Sequence, residues 1–314
     1  MAWGLVLLAV SAAMLIAGAE LFTENAGAAA RKLGITVFAA AFLLAGAEPE
    51  EMITAAIASG RHHPGLAAGD AIGANLTMLT LVLGLAALAR PLPFTGRVRG
   101  YAIWSALAGA LAVLVIAGGG VARWQGGLLL VAYLAGVALL WWRERQPPAI
   151  GEAAEADEEE EDEEDGAGRP PLAGLGLALG GVALMAAGGW VAVGGAERVV
   201  RSLGLTDSAV GLTLLALATT AELFALAWAA MRRGVSEIAV AGVIGSVAYN
   251  ATATLGVAAL VRPLTVTGIL APAIAAAVLP VALLLVTPGG RLNRVAGTVL
   301  VLGYGAWVTA VLAR

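Results

Sequence analysis

Glu50 and Glu222 stand 172 residues apart, and so do Gly73 and Gly245, Gly84 and Gly256, Arg90 and Arg262, and Pro91 and Pro263. No insertion or deletion interrupts that register. Just upstream, RKLGIT (Arg31 to Thr36) returns as RSLGLT (Arg201 to Thr206) at a spacing of 170, so the first copy is two residues shorter ahead of its glutamate. The chain carries one unit twice. Whatever fold the first copy takes, the second takes too.

Each copy is built mainly of apolar runs. Of 314 residues, 60% are hydrophobic and only 13% are charged. Stretches long enough to cross a hydrocarbon core of about 30 Å recur from end to end. This composition excludes a soluble globular domain. The expectation is an all-α membrane protein with about ten transmembrane helices, about five per copy. The opening MAWGLVLLAVSAAMLIAGA lacks a basic region and reads as the first helix rather than a cleaved signal. Five is odd, so the second copy enters the membrane upside down, and the repeats are inverted about an axis in the membrane plane. Such repeats favour a transporter. The absence of cysteine excludes disulfides, thiolate metal sites and haem attachment, leaving oxygen ligands or His62 and His63 for any metal.

Alternating helices from an outside N-terminus put Arg31, Lys32, Arg90, Arg97, Arg99, Arg143, Arg145, Arg169, Arg232, Arg233, Arg291 and Arg294 in inward connections. Outward connections receive only Arg61, Arg123, Arg198, Arg201, Arg262 and Arg314. That asymmetry is the positive-inside bias, and it places both termini outside. Without a presequence, the expected location is a bacterial or archaeal plasma membrane. The tract GEAAEADEEEEDEEDG is too charged to fold or insert. We expect a first repeat over 1–146, a cytoplasmic acidic linker over 147–171 and a second repeat over 172–314. A solvated spacer is the simplest role for the linker, since it lacks the fixed turn of a calcium loop. A divalent-cation sensor is the other.

Carboxylates interrupt the apolar pattern. LLAGAEPEEM (Leu43 to Met52) sets Glu48, Glu50 and Glu51 around Gly46 and Pro49. A charge at mid-membrane costs about 2.5–3.5 kcal/mol on insertion scales, so it persists facing a polar cavity or an ion. Proline frees a carbonyl, and glycine tolerates the resulting break. The inverted symmetry brings Glu50 and Glu222 face to face, and two carboxylates match one divalent cation. The competing reading, an ion pair with arginine, suffers because the arginines sit at span ends. Glu48 and Glu51, three apart, share a helix face and line either the site or a water-filled cleft. Asp70, in AAGD, reads as an interfacial polar residue, and Glu20 and Glu24 lie one turn apart on the first helix. His62 and His63 read as a solvated loop pair, with pH sensing as the alternative. GGWVAVGG reads as close helix packing.

The stretches Leu43 to Leu92 and Leu215 to Leu264 resemble the paired alpha-repeats of the calcium/cation antiporter superfamily, which includes the sodium/calcium exchangers. That family's first motif is Gly-Thr-Ser-x-Pro-Glu, and LGLTDSAVGLTLLALATTAEL (Leu203 to Leu223) is similar to it. Its second motif, Gly-Ser-Asn-x-x-Asn or Asp, has counterparts in GANLTMLTLVLG and GSVAYNATATLG. The resemblance implies ten helices, an outside N-terminus, and a first and sixth helix that slide across a four-helix core. It assigns acidic ligands to Glu50 and Glu222, and neutral ones to Thr219, Ser246 and Asn250. In the first copy the neutral ligands fall on Gly46, Ala47, Ala74 and Met78, and are lost; in the second, Ala218 replaces a threonine. Glu48, Glu51, Asn75, Thr77, Thr80, Thr220, Thr252 and Thr254 are candidate replacements. The second copy has Ala221 where the first has Pro49, so a helix break there is less expected.

The function implied is a secondary antiporter, not an enzyme, with no resident cofactor. It moves a divalent cation, Ca2+ first, against H+ or Na+ by alternating access. Calcium accepts six to eight oxygens in flexible geometry, whereas magnesium sheds water reluctantly. Its partners are inorganic cations and the lipid bilayer, with no nucleic acid, and a monomer is the expectation. Sodium beside Ala47 and Ala74 would lack oxygens, whereas a proton needs one carboxyl in a site crowded with like charges. Proton coupling, or a reduced sodium stoichiometry, is therefore expected. The alternatives are full sodium coupling, an intramembrane carboxylate hydrolase, or a cation channel.

Overall fold

The structure, a computed structural model, describes residues 1–32, 48–94, 96–144, 171–224, 227–228, 236–285, 287 and 289–313. Gly46, Ala47, the acidic tract and Arg145, Arg169, Arg232, Arg233 and Arg314 lie outside the described residues. The first half contains α1 (Ala2–Lys32), α2 (Pro49–Gly60), α3 (Pro64–Ala89), α4 (Gly96–Ile116) and α5 (Arg123–Glu144). The second contains α6 (Pro171–Leu203), α7 (Asp207–Thr219), α8 (236–261), α9 (Leu270–Leu285) and α10 (Arg294–Leu312). Among the described residues, seven helices are long and apolar enough to cross a bilayer, and α7 and α9 are shorter apolar helices. The chain is an all-helical membrane protein of two inverted repeats.

Packing among the described residues shows the inversion, because several major contacts recur with the halves exchanged. The long helices α1 and α6 pack along each other, as do α4 and α9. Helix α10 packs on α3 while α5 packs on α8. Two antiparallel strand pairs repeat the pattern. β1 (Leu92–Pro93), which follows α3, pairs with β4 (Arg291–Leu292), which precedes α10. β3 (Leu264–Thr265), which follows α8, pairs with β2 (Gly120–Val121), which precedes α5.

Local chemistry sets these boundaries. Helices α3 and α8 both end at an arginine in extended conformation, Arg90 (φ −148°) and Arg262 (φ −151°), because the following Pro91 and Pro263 exclude helical backbone there. The orphaned carbonyls at these ends find matched donors. Arg294 reaches Ala89 O and Arg123 reaches Val261 O, each at 3.3 Å. Four arginines assigned to outward connections gather at one end of the bundle: Arg61 and Arg201 at Glu197, Arg262 at His62, and Arg123 beside it.

Lipid tails are as apolar as leucine, so helix association here depends on close approach. A Cβ on Gly181 of α6 would lie 2.6 Å from the Gly18 carbonyl of α1. A Cβ on Gly126 would lie 2.6 Å from Gly256 O, and one on Gly297 2.7 Å from Gly84 O, again as mates. Outward faces carry exposed Leu107, Leu114, Leu285, Val295 and Leu302, the apolar surface a bilayer would cover.

Candidate cation site

Helix α2 begins at Pro49, in the first-turn position where a missing N–H costs nothing. Glu48 is therefore its N-cap, outside the helix (φ −130°, ψ 55°), rather than on a shared face with Glu51. Glu50 and Glu51 occupy the first turn, where the helix dipole favours negative charge. All three are buried. On the other side α7 ends at Thr219, Thr220 departs from helix (φ −82°, ψ 7°), and the chain is helical again at 221–224. The break therefore occurs at Thr220 without a proline, contrary to the expectation from Ala221. The Thr220 hydroxyl donates to Ala216 O at 2.7 Å, a carbonyl that also accepts the Thr220 N–H at 3.0 Å.

These two breaks bring Glu50 and Glu222, symmetry mates, close enough to interact with each other. A second mate pair meets nearby: Asn75 Nδ2 donates to the backbone oxygen of Val247 at 3.2 Å. The pseudo-two-fold axis thus passes through a polar centre. Asn250 Nδ2 donates to Glu48 Oε2 at 3.4 Å, and its Oδ1 accepts from Thr254 at 2.9 Å. Thr254 thus orients the Asn250 amide so that its nitrogen meets Glu48. Ser246 lies beside Glu48 and donates to Gly242 O at 3.1 Å.

Asp70 belongs to this cluster and is not interfacial. It is buried in α3, its Oδ1 accepts from Thr219 Oγ1 at 3.0 Å, and it faces Glu50 and Glu51. Its mate, Gly242, carries no charge. The signal was present in the sequence: Asp70, Gly73, Ala74 and Thr77 follow the spacing of one helical face, and Ala74 is a motif position. Thr54, one turn beyond Glu50, is a second residue that the motif reading passed over. It is buried with an unpartnered Oγ1.

Other candidates fall away from the centre. Thr77 bonds Gly73 O at 2.9 Å and meets the Tyr304 hydroxyl, while Thr80 and Thr252 turn back on Leu76 O and Ala248 O. These back-bonds accompany π-helical turns at Thr77–Val82 and Asn250–Thr254, which widen α3 and α8 beside the site. Ala74 and Met78 are buried and supply no side-chain oxygen. Glu20 and Glu24 are exposed on α1. His63 is held between Glu197 and Asp207 rather than simply solvated.

The chemistry of the centre is one-sided. Glu48 Oε1, both oxygens of Glu50 and of Glu51, Asp70 Oδ2 and Asn75 Oδ1 are buried without hydrogen-bond partners. No lysine or arginine is buried among the described residues. Each unsatisfied buried acceptor costs about 1–3 kcal/mol, so such a cluster fits a positively charged occupant. An all-oxygen donor set suits a hard cation. In this conformation no three carboxylates or histidines among the described residues form a closed metal cage.

Comparison with known proteins gives a consistent setting. The profile of a family described as "Sodium/calcium exchanger protein" matches residues 3–142 and 173–313. "Putative antiporter CaxA" of Alkalimonas amylolytica is 28% identical, covering 96% of this chain and 94% of that one. Inner membrane protein YrbG of Escherichia coli is 29% identical, covering 83% and 78%. Among solved structures, the sodium-calcium exchanger NCX_Mj soaked with sodium and strontium superposes with a TM-score of 0.64 at 22% identity, covering 99% of both chains. At that identity the likeness establishes the fold.

Proposed function

The chain belongs to the sodium/calcium exchanger protein family, and on that premise we propose that it is a secondary antiporter exchanging a divalent cation, Ca2+ foremost, for protons by alternating access. One observation carries the reading. Carboxylates from both inverted halves meet at the pseudo-two-fold axis, buried, with unpartnered oxygens on those of the first half and no buried cationic side chain among the described residues. Glu50 and Glu222 hold the cation from opposite halves. Thr219, Ser246, Asn75 and Glu51 supply or orient further oxygens, and Glu48 and Asp70 add negative charge.

The site carries either the divalent ion or its counter-ions. Emptied of both, its buried negative charge is too costly to move past the apolar layers of the bundle. Rocking of α1 and α6 against the remaining helices exposes the site to each side in turn. The glycine-lined seam between α1 and α6 suits such a paired body. The first half offers carboxylates where a sodium site would need neutral oxygens at Ala74 and Met78, which favours protons as the coupling ion. Sodium is the second reading, favoured by Thr219, Ser246 and Asn250 in the other half. We further assign both termini to the non-cytoplasmic face, with the repeats over 1–146 and 172–314 and the acidic segment 147–171 as their cytoplasmic spacer.

Flux into and out of liposomes tests this. With calcium inside and no sodium, acidifying the outside drives calcium out as protons enter. Exit that requires sodium and ignores the pH gradient overturns proton coupling and leaves sodium exchange. No calcium flux under either gradient overturns the antiporter reading.

A further inference from the structure

A second charged cluster lies outside the cation site, at the turn joining α2 to α3. His63 presents both ring nitrogens to carboxylates: Nδ1 stands 2.8 Å from Asp207 Oδ2, at the start of α7, and Nε2 stands 3.3 Å from Glu197 Oε1, in α6. A neutral imidazole has one N–H, so it donates to one carboxylate and sets a lone pair against the other. Only the doubly protonated ring donates to both.

We propose that His63 is a proton-operated clasp, which as imidazolium ties the α2–α3 turn to α6 through Glu197 and to α7 through Asp207. Loss of one proton leaves the ring bonded to the nearer Asp207 and frees its hold on α6.

The surrounding charges define what this clasp reads. Arg61, from the same turn, lies 2.8 Å from Glu197 and stacks 4.4 Å above the Trp190 ring, so it holds α6 whatever the pH. Arg201 approaches Glu197 at 3.8 Å, and Arg198 bonds Gly194 O in its own helix. From α8, Arg262 lies 3.1 Å from His62 Nε2; guanidinium only donates, so that ring acts as an acceptor. The turn itself is anchored by Ser59, whose hydroxyl donates to Ala258 O at 2.7 Å, and by His62 in left-handed backbone (φ 68°). Arginines keep their charge, so between about pH 5 and 8 an imidazole is the group that changes. The sign follows: the His63 bridge is present at lower pH and is lost as pH rises. Arg61 then holds Glu197 alone.

The clasp rests on geometry alone. Its connection with ion movement rests on the proposed rocking of α1 and α6. Its test needs no ion gradient, so its failure and the failure of the antiporter reading are separable. Hydrogen exchange of the full chain in detergent micelles, corrected for intrinsic rate, reads opening along α6 from Trp190 to Leu203. Raising the pH from about 5 to 8 in wild type increases exchange there about two- to five-fold, the scale of a partly exposed ion pair. The rise is absent in His63→Gln and retained in His62→Gln. A flat wild-type profile, or an equal rise in His63→Gln, overturns the clasp. Nitrogen NMR of the wild-type His63 ring decides the matter without any variant. Both nitrogens protonated at the acid end support the clasp, and a single neutral tautomer there refutes it.

Discussion

Gly73→Ala tests the closeness on which the cation site depends. A Cβ on Gly73 would stand 2.3 Å from the Leu212 carbonyl oxygen and 2.7 Å from its carbonyl carbon and Cα, all rigid backbone of α7. Ordinary contact begins near 3.4 Å, and 3.4 minus 2.3 means that α3 must withdraw by about 1.1 Å. Asp70 lies one turn away on the same seam, bonded to Thr219 at 3.0 Å, and an equal shift carries that pair past the reach of a hydrogen bond. Overpacking costs about 1–3 kcal/mol, and a lost bond to a charged group about 1.5–3 kcal/mol. A combined loss of about 3–5 kcal/mol lowers the melting temperature in detergent by roughly 5–15 °C for a chain of this size. Cation exchange in liposomes falls with it, because Asp70 and Thr219 no longer face the site together. Gly100 of α4 is the control: an added Cβ there meets nothing within 4 Å, so Gly100→Ala is neutral or slightly stabilising. If Gly73→Ala melts within about 2 °C of wild type and exchanges normally, less than 1 kcal/mol is at stake and the packing account is wrong.

Glu50→Gln and Glu222→Gln keep volume and remove charge, so each abolishes divalent exchange while size-exclusion and melting behaviour stay near wild type; normal calcium flux in either would sink the shared site. Asp70→Asn keeps an acceptor for Thr219 but removes a charge, and raises half-saturating calcium about a hundredfold or more, since one charge roughly 6 Å from a cation at an effective dielectric near 20 is worth about 3 kcal/mol per unit of cation charge. An unchanged calcium titration would make Asp70 purely structural. Deleting Glu152 to Asp165 leaves exchange and selectivity intact, and a large shift in calcium activation on deletion would make that tract a sensor instead.

What the sequence made legible is what repetition makes legible. Glu50 and Glu222 could be paired before any coordinates, because a shared spacing in an inverted repeat places mates across an axis. The break at Thr220 escaped, since it occurs without the proline that marks the first copy. Asp70 was misjudged by counting its depth from the start of α3, when its burial comes from α7 lying against Gly65, Gly69 and Gly73. That every-fourth-residue glycine stripe was visible, but its partner surface was not. His63 meets Glu197 and Asp207 from distant parts of the chain, a contact with no local pattern to announce it.

The exchange of end helices between halves bears on how the protein is made. Helix α5 covers α8 of the other half, and α10 covers α3. Neither half is a finished body: each wears the other's last helix, as two clasped subunits with swapped arms would. During synthesis α3 therefore waits, with one flank unlidded, until α10 leaves the ribosome. A fragment ending in the linker would stay open on that flank, and removal of α10 would loosen a helix made much earlier.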